Sequence, residues 1–287
     1  MKFTRLADEQ RDFFDRNGYL LVRDALDADM LRRVTAACDR IANEHAQKHG
    51  DNGSRRTSLG NVLPRDDVFL SLLTWETTVP LVVQLLSYDI HLAKSHLIYN
   101  YPDPPEVDPP PNWHRDFWES PFDLGPHRYP RMMIKVCYQL TDTSPLSGNT
   151  ILVPGSNNYT RHLEIPEGRT DPDGAVELEM RAGDAFLFES RTFHRIGVNR
   201  TDQPRKCLMM GYCYAWISPL DYDVQSDALL ARVTDPIARQ LVGGHKHPST
   251  IVDAWALQEW AKKHGVKRSS EIEYERLTDT AATPAAT

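Results

Sequence analysis

The sequence predicts a mainly β fold, an antiparallel barrel or sandwich braced by α-helices. Three observations support it. Between about residues 90 and 216, runs rich in β-branched and aromatic residues alternate with turn residues. On both sides of that stretch the apolar spacing changes to every third or fourth residue, as helices require. The chain has 287 residues, of which 40% are hydrophobic, enough to bury one sizeable core. A single domain over residues 1–275 is expected, with 276–287, which ends in small and polar residues, as a frayed tail. No internal repeat or composition break marks a second domain.

Asp8 and Glu9 favour a helix start, Phe13 and Phe14 give that helix an apolar face, and Gly18 suits its left-handed end. A strand is expected over 19–23. Asp27 can cap a second helix with Met30, Val34, Cys38 and Ile41 on its inner face. A third, short helix is expected near Pro80, with Leu81, Val82, Leu85 and Leu86 facing inward. Strands are expected over 90–99, 132–141, 149–153, 176–180, 185–189 and 206–216. Residues 176–180 alternate strictly, so one face should be buried and the other wet. Helical spacing returns over 226–242, capped by Ser226, and over 253–264, stopped by Gly265.

A formal charge of -7 and pI near 5.9 provide no basic field for phosphate backbones or anionic lipid, so neither nucleic acid nor a membrane is expected as partner. No apolar run approaches the ~20 residues of a membrane span, and the first residues lack a secretory core, so a cytoplasmic location is expected. Cys38, Cys137, Cys207 and Cys213 have no CxxC spacing and are expected to be reduced, packed thiols.

Chemistry is concentrated in Asn112-Trp113-His114-Arg115-Asp116. On an extended backbone, His114 and Asp116 leave the same face and can share one ion. His194 follows the strand over 185–189 and is the candidate third ligand. Two His and one carboxylate on one face of an octahedron leave three positions open, the arrangement suited to Fe(II) oxygenases. An isolated HxD pair is a weak signal. Arg205, where the next strand begins, adds a planar fork of donors suited to the distal carboxylate of a dicarboxylate cosubstrate.

These residues belong to a longer ordered set. It runs from Glu9-Gln10 to Phe14, through Gly18-Tyr19-Leu20-Leu21-Val22, His114 to Asp116, Leu140 to Asp142, and Gly148-Asn149-Thr150. It continues with Val153-Pro154-Gly155-Ser156 and Gly183-Asp184, and ends with His194, Asn199 and Arg205. In this the chain resembles the phytanoyl-CoA dioxygenase (PhyH) family of Fe(II)/2-oxoglutarate-dependent oxygenases. The resemblance implies a double-stranded β-helix, a cupin-like jelly-roll barrel with flanking helices. It implies His114, Asp116 and His194 as metal and catalytic ligands and Arg205 as partner of the 2-oxoglutarate 5-carboxylate. Thr150 and His96 would line the cosubstrate pocket. Iron, 2-oxoglutarate and O2 are the implied cofactor and cosubstrates, with release of succinate and CO2. Family halogenases replace the carboxylate ligand by a small residue, so Asp116 favours hydroxylation of a C–H bond. Two positions depart from the family pattern. Ile196 stands where a hydroxyl residue often assists the arginine, and Asn157 stands where a histidine usually follows Pro-Gly-Ser.

Trp113, Phe117 and Trp118 flank the ligands and are candidates for an apolar substrate wall, although aromatics beside a barrel mouth are often plain packing. Arg115 points to the opposite face, where satisfying a neighbouring carboxylate is the expected role. Gly183-Asp184 suits a turn. His127, His162, His245 and His247 have no partner at ligand spacing. The proline-rich stretch 101–111 is either a lid or a rigid connection. The expected substrate is a small metabolite, in the setting of natural-product biosynthesis. Alternatives are an acyl-CoA or amino-acid hydroxylase of the same family, a cupin-type metalloenzyme that does not use 2-oxoglutarate, or a silent binding module. Monomer and homodimer are both open, with Trp255 and Trp260 as candidates for a dimer contact.

Overall fold

A computed structural model describes residues 1–49, 55–107, 112–124, 129–243, 256–272 and 274–275 of the chain. The expected N-terminal helix is α1 (Asp8–Asn17), whose first turn is tied by the Gln10 side chain accepting from the Ala7 N–H at 3.0 Å. It ends at Gly18 in the left-handed conformation, φ 77°. That glycine also needs to be bare, because a Cβ there would lie 2.1 Å from Thr192 Oγ1, in the turn that leads to His194. β1 (Tyr19–Val22) follows, and Asp27 caps α2 (Ala28–His49) by accepting from the Met30 N–H at 2.8 Å. Met30, Val34, Cys38 and Ile41 are buried along α2, as their spacing predicts.

β2 (Arg56–Leu59) and α3 (Asp67–Ser71) have no counterpart in the sequence reading, because neither carries a long periodic pattern. α4 (Val79–Leu85) has its proline in the first turn, where no amide donor is needed. β3 (Ile90–Asn100) is followed by α5 (Ser120–Leu124), and then by β4 (Met133–Gln139) and β5 (Thr150–Leu152). β6 is shorter than expected, Val176–Glu177, although Leu178 and Met180 are buried and Glu179 is exposed as the alternation predicts. β7 (Ala185–Glu189), β8 (His194–Ile196) and β9 (Arg205–Tyr214) complete the strands. The helix expected over 226–242 is in fact two, α6 (Asp227–Arg232) and α7 (Pro236–Leu241). Pro236 cannot continue a helix from the preceding turn, and Asp235 starts a new one by accepting from the N–H groups of Ile237 and Ala238. α8 (Ala256–His264) ends at Gly265, φ 64°.

The strands form two antiparallel sheets, one in the order β1-β7-β4-β9-β3-β2 and one in the order β6-β5-β8. Along β4 the two-residue period sends Ile134, Val136 and Tyr138 to the helices and Met133, Lys135, Cys137 and Gln139 to the barrel interior. The larger core therefore lies between the six-stranded sheet and the helices, with Val34, Phe69, Val82, Leu85, Leu208 and Leu241 among its members. A smaller core lies between the sheets, built from Cys137, Leu152, Phe186, Phe188, Cys207 and Met209. Burying a side chain of this size stabilises by about 1.5–3 kcal/mol before entropy is counted. All four cysteines are buried and free.

Trp260 is turned inward. Its indole donates to the Met1 carbonyl at 3.0 Å and its ring meets Phe3 at 5.6 Å, so it braces the first residues of the chain. Trp255, His127, His245, His247, residues 108–111 and the tail 276–287 lie outside the described residues. The described part of the proline-rich stretch is held down. Asp103 donates to the Asn199 carbonyl at 2.8 Å, and Arg200 reaches the Pro104 carbonyl at 2.6 Å. No single helix among the described residues is long and apolar enough to cross a membrane.

Candidate active site

His114 and His194 are brought together by backbone pairing. The two residues exchange N–H···O=C bonds of 3.1 and 2.9 Å in an isolated antiparallel bridge, which sets their rings 4.3 Å apart. Each imidazole is oriented by a carbonyl two residues upstream. His114 Nδ1 bonds the Asn112 carbonyl at 2.8 Å, and His194 Nδ1 bonds that of Thr192 at 2.9 Å. A carbonyl only accepts, so both Nδ1 atoms carry the proton and both Nε2 lone pairs are free for a metal. Burial drives His194 down to about 3, outweighing the opposing pull of Asp116, so its ring is neutral and able to ligate.

Asp116 is placed by its N–H donating to the Ser190 carbonyl at 3.0 Å, beside the end of β7. Ligand atoms of His114, Asp116 and His194 all lie within 4.8 Å of one another. Burial alone would raise the Asp116 carboxyl, yet Lys135, His194 and His114 together hold it below the usual carboxylate range. The Lys135 ammonium lies 2.7 Å from both of its oxygens, hydrogen-bonding Oδ1 and leaving Oδ2 buried without a hydrogen bond. The next residue, Phe117, has φ 53°, a conformation that costs a side-chain-bearing residue on the order of 1–3 kcal/mol.

Arg205 opens β9 on the interior face and is 3% exposed. Its guanidinium donates to the Gly148 carbonyl at 3.1 Å and has no carboxylate partner among the described residues. Thr150 lies two residues on and pairs with Ile196 across β5 and β8, so both side chains share the interior face with Leu152 and His194. Thr150 thus carries a hydroxyl on the face where Ile196 has none. His96 is half-buried on the interior face of β3 opposite Met209, and burial, aided by Lys94 and Lys135, pushes it down to about 4.

The flanking aromatics divide. Trp113 is committed to the scaffold, its indole donating to Thr170 O at 3.1 Å and Asp171 Oδ1 at 3.2 Å, with Arg195 over the ring. Phe117 packs near the barrel mouth with Met133, Cys213 and Ile217. Trp118 is 63% exposed. Arg115 does face away from the ligands, but its Nη2 donates to two carbonyls, Ser156 at 2.7 Å and Tyr159 at 2.8 Å, with the rings of Tyr129 and Phe193 against it. Asn157 is a structural tie, donating to the Asp15 carbonyl and to Glu189 Oε1. His162 is exposed.

The sequence model of the phytanoyl-CoA dioxygenase (PhyH) family matches residues 14–207. The chain belongs to this family. Members of the PhyH family are Fe(II)/2-oxoglutarate-dependent oxygenases, and the barrel seen here is the fold that membership implies. Among curated PhyH-like relatives, an ectoine dioxygenase of Stutzerimonas stutzeri is 26% identical over 238 residues, covering 72% of this chain and 76% of that protein. Dioxygenase FUM3 of Gibberella moniliformis is 32% identical over 112 residues, 38% of this chain and 35% of that protein. Matches to FUM3 and two further fungal dioxygenases span only 35, 40 and 38% of those proteins' lengths. In fold, the chain is similar to HygX from Streptomyces hygroscopicus, solved with nickel and 2-oxoglutarate bound. The TM-score is 0.60 at 16% identity, over 78% of this chain and 94% of that one. The carbocyclase SnoK from nogalamycin biosynthesis gives 0.58 at 19% identity, over 80 and 92%.

Beside the PhyH motif residues lies a carboxyl that sequence reasoning missed. Glu177 Oε1 accepts from the Asn149 N–H at 3.0 Å, and burial pushes the group up to about 7 despite that bond and the nearby Arg195 and Arg205. Unfolded, it would titrate near 4.3. Between about pH 4 and 7 the native state thus keeps a proton that the unfolded chain has released. This contribution is complete at low pH and is lost as pH rises through the folded value. Glu177→Gln should gain stability relative to the wild type on going from pH 5 to pH 8. Urea midpoints at both pH values measure it, and an unchanged difference would reject the buried-proton account.

Proposed function

We propose that the chain is an Fe(II)- and 2-oxoglutarate-dependent dioxygenase that hydroxylates a C–H bond of a small-molecule metabolite, with residues 1–275 as one catalytic unit. One combined observation carries this. Two bare imidazole nitrogens and a buried carboxylate oxygen without a hydrogen bond converge at one end of a barrel whose interior also holds a buried guanidinium with no ion-paired carboxylate among the described residues. Each is a deficit that the expected group would fill. A divalent ion satisfies His114, His194 and Asp116, and a dicarboxylate satisfies Arg205.

Iron bound there would supply the activation of O2 and the oxidising step. The residues of the chain do the rest. His114 and His194 would hold the ion through their Nε2 atoms and Asp116 through its carboxylate. Arg205, anchored by Gly148, holds the far carboxylate, and the Thr150 hydroxyl stands ready to share that load in place of Ile196. His96, neutral above about pH 4, lines the pocket as a hydrogen-bonding group without charge. Phe117, Met133, Cys213 and Ile217 make the mouth apolar and limit water beside the reacting carbon. The ring-forming and oxygenating relatives on this fold favour a natural product as the substrate class.

The test is succinate release with Fe(II), 2-oxoglutarate and O2 across a panel of candidate metabolites, with mass analysis of the product. Hydroxylation adds one oxygen atom, and a product lighter by two hydrogens would replace it with desaturation or ring closure. Arg205→Ala should raise the KM for 2-oxoglutarate by about 30-fold or more, the cost of a lost buried charge pair of at least ~2 kcal/mol. An unchanged KM would remove Arg205 from the cosubstrate site.

A further inference from the structure

The strand register places an unusual row of residues beside the metal-binding triad. Lys94 on β3 pairs with Gly211 on β9, and Gly211 in turn pairs with Lys135 on β4. Residues paired in register across adjacent strands point to the same face, here the barrel interior, where Phe188 continues the row beyond Lys135. Two lysines thus flank a glycine in one row, each about 5 Å of strand spacing from it.

Gly211 is what lets them approach. A Cβ at that position would lie 2.7 Å from Lys94 Cγ and 3.1 Å from Met133 Sδ, so the Lys94 stem lies across the bare glycine. Lys135 is 5% exposed and engaged with Asp116. Lys94 is half-buried and has no ion pair or hydrogen bond among the described residues. The acids that act on it are Asp116, already held by Lys135, and Asp221, whose Oδ2 accepts from the N–H groups of Asn61 at 2.7 Å and Ser95 at 2.8 Å. Burial and the charge of Lys135 both work against its ammonium. On the proposed reading, the metal and Arg205 are balanced by Asp116 and the two carboxylates of the cosubstrate. Asp221 remains as the carboxylate that acts on Lys94, so the two lysines together carry one net positive charge in a site of low polarity, near the apolar mouth formed by Phe117, Met133, Cys213 and Ile217.

We propose that Lys94 and Lys135 form a two-lysine clamp for a carboxylate on the substrate, so that this enzyme acts on an organic acid with an apolar body. The inference rests on the proposed function for the site's chemistry, and it adds the substrate class. The anion sits between the two ammonium groups, beyond the Lys94 stem that covers Gly211, with the apolar body toward Phe117 and Ile217. Arg205 stands six residues away along β9, roughly 20 Å of extended strand, so the clamp and the cosubstrate anchor are separate.

Calorimetry on the anaerobic Fe(II) and 2-oxoglutarate-loaded protein tests it, using hexanoate, benzoate and indole-3-acetate, each paired with its primary amide. In at least one pair the acid should bind about tenfold or more tightly than the amide, the effect of ~1.4 kcal/mol. Lys94→Met should reduce that preference to less than about threefold, Lys94→Arg should keep it, and 2-oxoglutarate affinity should stay within about twofold in both. Equal binding of acid and amide in every pair would overturn the clamp, as would a preference that survives Lys94→Met. A tenfold loss of 2-oxoglutarate affinity in Lys94→Met would also overturn it, by assigning Lys94 to the cosubstrate. If the protein takes up no 2-oxoglutarate, the proposed function fails, while the acid-to-amide ratio measured on the same protein still decides the clamp.

Discussion

His114→Ala is expected to abolish 2-oxoglutarate-dependent succinate release and to weaken Fe(II) binding by at least about 100-fold. Removing a group that merely supports a ligand typically costs 10–100-fold in metal affinity, and here a ligand itself is lost. The substitution is well suited to the purpose because His114 is exposed and its ring, among the described residues, hydrogen-bonds only the Asn112 carbonyl, so the barrel should keep its unfolding midpoint. His194→Ala should give the same loss of metal but with a stability cost, since that ring is 5% exposed and packs edge-on against Phe188 at 4.8 Å. Asp116→Ala is less clean, because it also leaves Lys135 buried without its carboxylate. Iron content after anaerobic reconstitution, measured beside turnover, decides the matter. Stoichiometric iron in His114→Ala would show that the ion sits elsewhere.

The largest effect on stability is expected from Glu189→Gln. Glu189 is fully buried at the end of β7 and accepts from Arg131 Nε at 2.8 Å, from Arg191 at 2.8 and 3.0 Å, and from Asn157 at 2.8 Å. Arg131 also pairs with Asp15 of α1 at 2.7 Å. Burial by itself would raise the Glu189 carboxyl, yet the two arginines hold it below the usual range. Neutralising it leaves Arg191 without its carboxylate and Arg131 with Asp15 alone, which costs about 3–5 kcal/mol when the pair is buried. Urea unfolding should show a loss of about that size, and one below ~1 kcal/mol would mean that water or Asp15 takes over the arginines. The same cluster anchors the turn into His194, because Thr192 donates to the Gly18 carbonyl at 3.0 Å and its N–H to the Glu189 carbonyl at 3.1 Å. A weaker Fe(II) affinity in Glu189→Gln would follow from that connection.

Much of the molecule was legible because its signals are local. The α1 stop at Gly18, the Asp27 and Ser226 caps, and the proline opening α4 are each decided within a few residues, and all formed as expected. The failures have two causes. β2 and β8 are short strands whose existence depends on a partner distant in sequence, and the 226–242 helix broke where Pro236 outweighed the apolar spacing.

For the site, the sequence by itself determined the donor types. A His and an Asp two residues apart on extended chain must share a face, and the ordered motif set pointed to His194 and Arg205 as their partners. Only the tertiary structure decided which atoms are free to act. Nδ1 of each histidine is tied to a carbonyl, Asp116 keeps one oxygen without a hydrogen bond, and Arg205 is buried without an anion. The Lys94–Gly211–Lys135 row belongs wholly to the second class. Its members lie on three strands far apart in the chain, and the bulge between Leu92 and Lys94 shifts the pairing by a residue. Side-chain direction reverses with every residue along a strand, so that bulge, which no local pattern announces, fixes whether Lys94 faces the helices or the barrel interior.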